Sequence, residues 1–278
     1  MKENKHNLWP RISVVTPSYN QVEYLEQTIA SVLSQGYPNL EYIIVDGGSS
    51  DGSVDIIRRY CGGLAYWVSE PDRGQAHAIN KGFERATGEV LAWLNSDDLY
   101  LPGALRAVGR YFRDPSVGFL HGNTVNIDKH GKVIGRRRTS VVDLKSLLLF
   151  SGLTQPATFW RRSLMNKAGR LDETLRFCMD FDLWCRMAQF ARIHKTRREL
   201  CAFRFHEKQK TRTMASVHVE EHAAIVQRYL TELPSHMHPR FLRFWCILRH
   251  YLCLEIYWDP LHCVKGFARR LIGPRGES

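Results

Sequence analysis

No two cysteines in this chain stand at CxxC spacing; the seven that occur are an odd number, scattered from Cys61 to Cys263. That pattern supplies neither a disulfide framework nor a zinc-ligand set, and it fits a reducing cytoplasmic setting. The segment Met1 to Pro10 is polar and lacks the apolar core of a secretion signal. No stretch reaches the roughly 18 uninterrupted apolar residues of a membrane-spanning helix. The first apolar strand runs into Pro17-Ser-Tyr-Asn20 rather than GxGxxG, which argues against a dinucleotide oxidoreductase. Internal repeats and low-complexity linkers are also missing.

What is present is a chain of 278 residues, 44% hydrophobic, enough for one large α/β domain or a domain with an appendage. Lys and Arg number 39 against 28 Asp and Glu, giving a net charge of +11 and a pI near 9.4. Such a balance favours anionic partners: phosphorylated substrates, acidic lipid surfaces or nucleic acid. No nucleic-acid module is recognisable, and aromatic residues are not interleaved with basic ones in the first half, so nucleic acid is not expected as a partner.

The first hundred residues alternate between strands and helices. Ile12 to Thr16 is a strand, and Asn20 is expected to cap a helix, with Glu23 at its third position. Val22, Leu25, Ile29, Val32 and Leu33 repeat at helical spacing, and Gly36 closes the helix. Leu40 to Val45 is a second strand, ending in Asp46-Gly-Gly-Ser-Ser-Asp51-Gly, where Asp51 should cap the next helix. Leu64 to Ser69 and Val90 to Leu94 are the third and fourth strands, separated by Glu70-Pro-Asp-Arg-Gly74 and a helix striped with Ala76, Ile79, Phe83 and Ala86. Repeated β-α-β units imply a largely parallel sheet covered on both faces, with ligands beyond the carboxyl ends of its strands. Four polar clusters fall there: Pro17 to Asn20, Asp46, Glu70 to Arg73, and Asp97-Asp98. The last is the most informative. A strand as apolar as Val90-Leu-Ala-Trp-Leu94 lies inside a sheet and delivers two carboxylates to its rim. Held together they repel unless a cation sits between them, and a divalent metal there would hold a phosphate-bearing substrate. The other reading is an Asp-Asp turn before a helix beginning near Leu101-Pro102.

The second half is less regular. Val117 to Ile127 reads as a strand, Lys129 to Lys132 as a turn, Leu144 to Phe150 as a short helix, and Thr154 to Trp160 as a strand with an edge-type proline. Arg136-Arg-Arg138 reads as a solvated basic loop that could meet an anionic acceptor. A helix starts at Asp180-Phe-Asp182, and Leu200 to His206 is a late strand. The expected division is a catalytic domain over 1–213 and a helical extension over 214–278. The extension holds a helix from Val217 to Leu230, an aromatic-rich stretch from Pro239 to Trp258, and a last helix with Val264, Phe267, Leu271 and Ile272 opposite Lys265, Arg269 and Arg270. Basic, aromatic helices suit the headgroup region of an anionic membrane; ordinary packing on the catalytic domain is the alternative.

Taken in order, Ile12-Ser-Val-Val-Thr-Pro-Ser-Tyr-Asn20, Val45-Asp-Gly-Gly-Ser-Ser-Asp51, Glu70-Pro-Asp-Arg-Gly74, Asn80-Lys-Gly82, Ala86-Thr-Gly88, Leu94-Asn-Ser-Asp-Asp98 and Met179-Asp-Phe-Asp-Leu-Trp-Cys-Arg186 resemble the motifs of family 2 glycosyltransferases. The resemblance covers about residues 11 to 206. It implies a GT-A-type, Rossmann-like α/β fold: a mostly parallel sheet flanked by helices, with a helical C-terminal appendage. It implies inverting transfer of a sugar from a nucleotide-diphosphate donor, most often a UDP-sugar, to a hydroxyl of a glycan or lipid-linked acceptor in cell-surface polysaccharide or glycolipid synthesis. The expected location is cytoplasmic, with peripheral contact to the inner face of the cell membrane.

Residue by residue, the resemblance places Asp46 on the donor base, with Tyr19 stacking on it and Pro17 and Asn20 shaping the loop; an Asx turn before Gly47 is the alternative for Asp46. It places Arg73 near the diphosphate, with a solvated loop arginine as the alternative. Asp97 and Asp98, and His206 as a further ligand, would hold Mg²⁺ or Mn²⁺. Asp180 would be the base that takes the acceptor proton, with Asp182 and Gln155 on the acceptor side; the alternatives are that Asp182 caps the helix, or that both aspartates only complement the helix dipole. Asn95, Met179 and His77 stand where relatives often carry acidic residues. A non-catalytic nucleotide-sugar or glycan-binding protein of the same fold is the other class the motifs allow.

Overall fold

The computed structural model describes residues 9–138, 143–150 and 152–229, without the side chains of 149 and 150. The expected aromatic stretch from Pro239 and the last amphipathic helix lie outside the described residues. The chain divides into two compact units, Met1–Arg212 and Thr213–Ser278. In the second, the described element is α9 (Ala215–Arg228), close to the helix expected from Val217.

In the first unit, β1 (Ile12–Ser18), β2 (Leu40–Asp46), β3 (Tyr66–Ser69) and β4 (Val90–Trp93) form the parallel half of the sheet in the order β3-β2-β1-β4. These strands are near-continuous apolar runs because helices cover both faces. On one face, α1 (Val22–Leu33) and α4 (Ala104–Tyr111) place Leu25, Ile29, Leu105 and Val108 against Ile12, Val14, Ile44 and Ala92. On the other, α3 (Gln75–Arg85) sits so close to β1 that a Cβ on Gly82 would lie 2.3 Å from Val15 Cγ1. Beside it Phe83, Trp93 and Trp160 form edge-on ring contacts, 5.5 Å between the two indoles. The short α2 (Ser53–Arg59) links β2 to β3.

The rest of the sheet is mixed. β8 (Thr158–Arg161) runs antiparallel between β4 and β6 (Phe119–Ile127), β9 (Ile193–Arg204) lies parallel to β6, and β5 (Leu99–Tyr100) pairs antiparallel with β9. β7 (Val133–Arg137) forms a hairpin with the end of β6, giving nine strands among the described residues. Helices α5 (Leu144–Phe150), α6 (Arg162–Ala168), α7 (Met179–Ala188) and α8 (Lys210–Thr213) complete the unit.

Several expectations are corrected in detail. Pro156 lies in a 3-10 turn, Gln155–Ala157, and the strand that follows is internal to the sheet rather than an edge. Proline costs no ladder bond there because the ladder starts only after it. The run Arg136-Arg-Arg138 is not a loop: its first two residues end β7. Asn20 is not the cap of α1. It adopts φ 50°, and its side-chain oxygen accepts from Ser50 N–H at 3.0 Å. The cap comes from the neighbouring turn: Val22 N–H donates to Asp51 Oδ2 at 2.9 Å and Gln21 N–H to Ser53 Oγ at 3.1 Å. Asp51 also accepts from Ser53 N–H at 3.0 Å, so one carboxylate serves two helix starts.

Candidate active site

Strand register assembles the site. Ser18 lies opposite Asp46, Asp46 opposite Ser69, and Val15 opposite Trp93, so the carboxyl ends of β1 to β4 form one edge. The loop after β4 turns at once, with Asp98 N–H donating to Asn95 O at 3.1 Å. Thr28 Oγ1 of α1 reaches Ser96 O and Asp98 O at 2.9 Å each. From the other side comes Arg204, a guanidinium with no exposed surface. Its Nε donates to Asp97 O at 2.9 Å, a terminal nitrogen to Lys129 O at 3.1 Å, and the other to Gln27 Oε1 at 2.8 Å. Its guanidinium carbon stands 4.7 Å from the centre of the Tyr24 ring. Arginine is almost never fully buried without such partners.

That clamp separates the two carboxylates. Asp98 is buried, with one oxygen accepting from Arg204 N–H at 3.0 Å and the other without a protein partner. Burial, reinforced by the neighbouring Asp97 charge, pushes its carboxyl well above the usual carboxylate range. Asp98 thus keeps one carboxylate oxygen without a protein partner at this edge, next to the Asp97 charge. Asp97 instead keeps part of its side chain at the surface, and its Oδ2 lies 2.9 Å from His206 Nε2. The His206 ring rests 4.9 Å from that of Tyr24. Among the described residues no group of three or more His, Cys, Asp or Glu is placed to hold a metal ion. A carboxylate oxygen and an imidazole nitrogen side by side fit a divalent cation whose other positions are filled by a ligand's oxygens. The nitrogen suits Mn²⁺ better than Mg²⁺.

Asp46 has no exposed surface. Its carboxylate accepts from Gly48 N–H (3.1 Å), Ser49 N–H (2.8 Å), Ser49 Oγ (2.5 Å) and Ser69 Oγ (2.8 Å). The Asx-turn alternative thus describes the geometry: three of these bonds fall on Oδ2 and one on Oδ1. Tyr19, 63% exposed, stands over that rim, its ring 3.3 Å from where a Cβ on Gly47 would be. Pro17 is buried in β1 opposite Val45.

The start of α3 joins this edge. Gln75 Nε2 donates to Asn95 Oδ1 at 2.8 Å, and Gln75 Oε1 accepts from Lys210 Nζ at 2.8 Å. Asn80 holds the segment before α7 by accepting from Leu171 N–H at 3.1 Å and donating to Leu171 O at 3.0 Å. Arg73 pairs with Glu173 at 2.6 Å. Asp180 sits in the first turn of α7, one oxygen accepting from Phe181 N–H at 2.7 Å. Asp182 is buried against Arg186, 2.8 Å from a terminal nitrogen and 2.9 Å from Nε. Arg186 in turn donates to Arg170 O at 2.8 Å. That commitment corrects the acceptor role expected of Asp182: it is an internal tie of α7. Gln155 donates to Trp93 O at 2.8 Å, and its buried Oε1 has no protein partner.

Register and hydrogen bonds therefore bring Pro17, Tyr19, Asn20, Asp46, Asn95, Asp97, His206 and Gln155 to one sheet edge, with Arg73 beside it. Sequence reading missed Arg204 and the Lys210–Gln75–Asn95 chain. The signal for Arg204 was a charge inside the apolar run Cys201-Ala-Phe-Arg-Phe-His206. Lys210 gave none.

The profile described as Glycosyl transferase family 2 matches residues 13–191. A putative teichuronic acid biosynthesis glycosyltransferase of Bacillus subtilis, TuaG, is 40% identical over 116 residues, which are 41% of this chain and 46% of that one. S. aureus TarS 1-349 in complex with UDP-GlcNAc superposes with a TM-score of 0.65 at 16% identity, covering 88% of this chain and 73% of that one. The mannosyltransferase PcManGT from Pyrobaculum calidifontis, in complex with GDP-Man and Mn²⁺, does so with a TM-score of 0.63 at 21% identity, covering 97% and 77%. At such identities the two structures establish the shared GT-A fold. On the extent of the profile match, the chain belongs to glycosyl transferase family 2.

Proposed function

We propose that this glycosyltransferase moves a sugar from a nucleoside-diphosphate donor to a hydroxyl of a glycan or lipid-linked acceptor, with inversion and with a divalent metal. The observation that carries this reading is the Asp97–His206 pair at the carboxyl edge, beside the loop that Asp46 folds. The Asp46 loop and the Tyr19 ring would receive the base, and a UDP-sugar is the donor we favour. Asp97 and His206 would hold Mn²⁺ or Mg²⁺ against the diphosphate. The bound cation supplies charge neutralisation for the departing nucleoside diphosphate. UDP-GlcNAc in one structural neighbour and GDP-Man with Mn²⁺ in another support this class of donor.

Asp180 is the base. It stands in the first turn of α7, and the Phe181 N–H orients one oxygen. As the acceptor oxygen attacks the anomeric carbon, its proton passes to Asp180. The bond from that carbon to the diphosphate breaks, and its electron pair leaves with the diphosphate. The similarity to a teichuronic acid biosynthesis enzyme favours an acceptor in cell-surface polymer synthesis.

Titration with UDP-, GDP- and dTDP-sugars, each with and without Mn²⁺, tests the donor half; metal-dependent binding of one of them is expected. Asp180→Asn should retain that binding while transfer falls by about 10²- to 10⁴-fold. Donor binding in none of these conditions, or full transfer by the variant, refutes the corresponding half.

A further inference from the structure

The β6–β7 hairpin lies outside the residues assigned to donor, metal and base. From Lys129 to Arg138 five of ten residues are Lys or Arg and none is acidic. The turn is closed from inside by Asp128, whose carboxylate accepts from His130 N–H and Lys132 N–H at 2.9 Å each. Both bonds fall on Oδ1, so the turn is held by one carboxylate oxygen and Asp128 keeps its charge at the base of the hairpin. Arg136 pairs with Glu199 at 2.9 Å, whereas no ion pair joins Lys129 or Arg138 among the described residues. Two β-branched apolar side chains stand in the open on the same strand, Val133 48% and Ile134 43% exposed.

Cationic residues alone would be explained by protection of a sheet edge, since charge discourages edge-to-edge pairing. Protection does not explain Val133 and Ile134, which make the edge more adhesive. Nor does the hairpin suit a glycan chain, because residues 129 to 138 hold no Trp, Tyr or Phe on which a sugar ring could stack. Exposed aliphatic side chains on an edge strand, flanked along the chain by Lys and Arg, match the chemistry of an anionic bilayer, with acyl-chain boundary for the first and headgroup phosphates for the second.

The hairpin is also tied to the site. Arg204 donates to Lys129 O at 3.1 Å and, through Nε, to Asp97 O at 2.9 Å. Phe205 N–H, one residue before His206, donates to Ile127 O at 2.8 Å. A surface that rests on the hairpin is thereby fixed relative to the Asp97–His206 pair through one buried side chain.

We infer that the β6–β7 hairpin docks the enzyme edge-on on an anionic membrane surface, Val133 and Ile134 entering the headgroup boundary from the two faces of the edge strand and the flanking Lys and Arg side chains meeting lipid phosphates. This placement favours a lipid-borne acceptor, and it stands independently of the donor assignment.

Co-flotation of the full chain with vesicles of mixed phosphatidylglycerol and phosphatidylcholine, against phosphatidylcholine alone, tests it. The wild type should float with the anionic vesicles only. Lys129→Gln with Arg138→Gln should weaken partition by about 25-fold, as expected for roughly fivefold per surface charge removed. Val133→Ser with Ile134→Ser should weaken it by about tenfold, from lost apolar burial. Urea midpoints equal to wild type verify that both variants are folded. Wild-type flotation by either pair overturns the proposal. Loss confined to the charge pair, with equal binding of the wild type to soluble polyphosphate, would identify a polyanion site instead.

Discussion

The two ends of the same strands are built on opposite principles. At the amino end of β2, Glu41 is buried with its carboxylate fully engaged. It accepts from Ser13 Oγ at 2.5 Å, Thr87 N–H at 2.6 Å and Thr87 Oγ1 at 2.7 Å, and pairs with Arg11 at 2.9 Å. Gly88 permits this close approach: a Cβ there would lie 2.4 Å from Ser13 Oγ and 2.7 Å from Arg11 O. At the carboxyl end, buried Ser18 Oγ, Asp98 Oδ2 and Gln155 Oε1 have no protein partner, and the Asp97 carboxylate faces an imidazole instead of a backbone turn. These three lie at the rim that carries the Asp97–His206 pair, while at the closed edge Arg162, which donates to Gly88 O, has one terminal nitrogen in the same condition. One edge is closed by its own side chains; the other keeps polar capacity beside the Asp97–His206 pair.

The largest effect should come from the open edge. Asp97→Asn keeps the volume and the contact with His206 but removes the negative charge. With several kcal/mol of transition-state stabilisation assigned to that position, transfer should fall by at least about 10³-fold. The urea midpoint should stay near the wild-type value. Mn²⁺-dependent binding of the donor should weaken in parallel, as read by titration. A large loss of stability with turnover intact would erase the contrast between the edges.

The closed edge should show the reverse. Glu41→Gln leaves donors from Ser13 and Thr87 facing an amide, which should cost about 1–3 kcal/mol in urea unfolding, while the half-exposed Arg11 stays solvated. Turnover per folded molecule should be unchanged. The pH dependence follows from the same contacts. Burial raises the Glu41 carboxyl, but hydrogen bonds from Ser13 and Thr87 and the Arg11 charge outweigh it, leaving a net lowering. A lowered folded-state value contributes stability above the unfolded carboxylate range, near 4.3, and loses it as pH falls through the folded value. Wild type should therefore lose more stability than Glu41→Gln between about pH 5 and pH 3. Parallel acid curves would remove Glu41 as the lock.

This contrast also explains what the sequence could disclose. Strand and helix order was legible in the first hundred residues because apolar runs, helical stripes and glycine stops agree there. The edge carrying Asp46 and Asp97 followed from β-α-β alternation alone. Ala86-Thr-Gly88 was recognisable as a motif, but its purpose lies in Glu41, some 46 positions away in the chain. Strand β7 and the split between Asp97 and Asp98 were hidden for the same reason. Local composition made the first a loop, and only the long-range clamp from Arg204 decides which of two adjacent carboxylates is buried. The cap of α1 was misread because its acceptor, Asp51, comes from another turn.

The smallest expected effect concerns the border between the edges' two modes. Arg73 and Glu173 form an ion pair of 2.6 Å in which the arginine is 70% exposed. Such a pair contributes little to stability, so Glu173→Gln should move the urea midpoint by less than about 1 kcal/mol. The amide can still accept from Asn80 Nδ2, which the carboxylate does at 3.1 Å, so the segment before α7 stays anchored. What changes is Arg73, whose guanidinium loses its anionic partner and becomes available to a diphosphate. Donor affinity should then rise a few-fold, more at low salt than at high salt because the gain is coulombic. An unchanged affinity would leave Arg73 as a solvated tie to Glu173. A weakened one would mean that Glu173 itself, and not the arginine it holds, faces the donor.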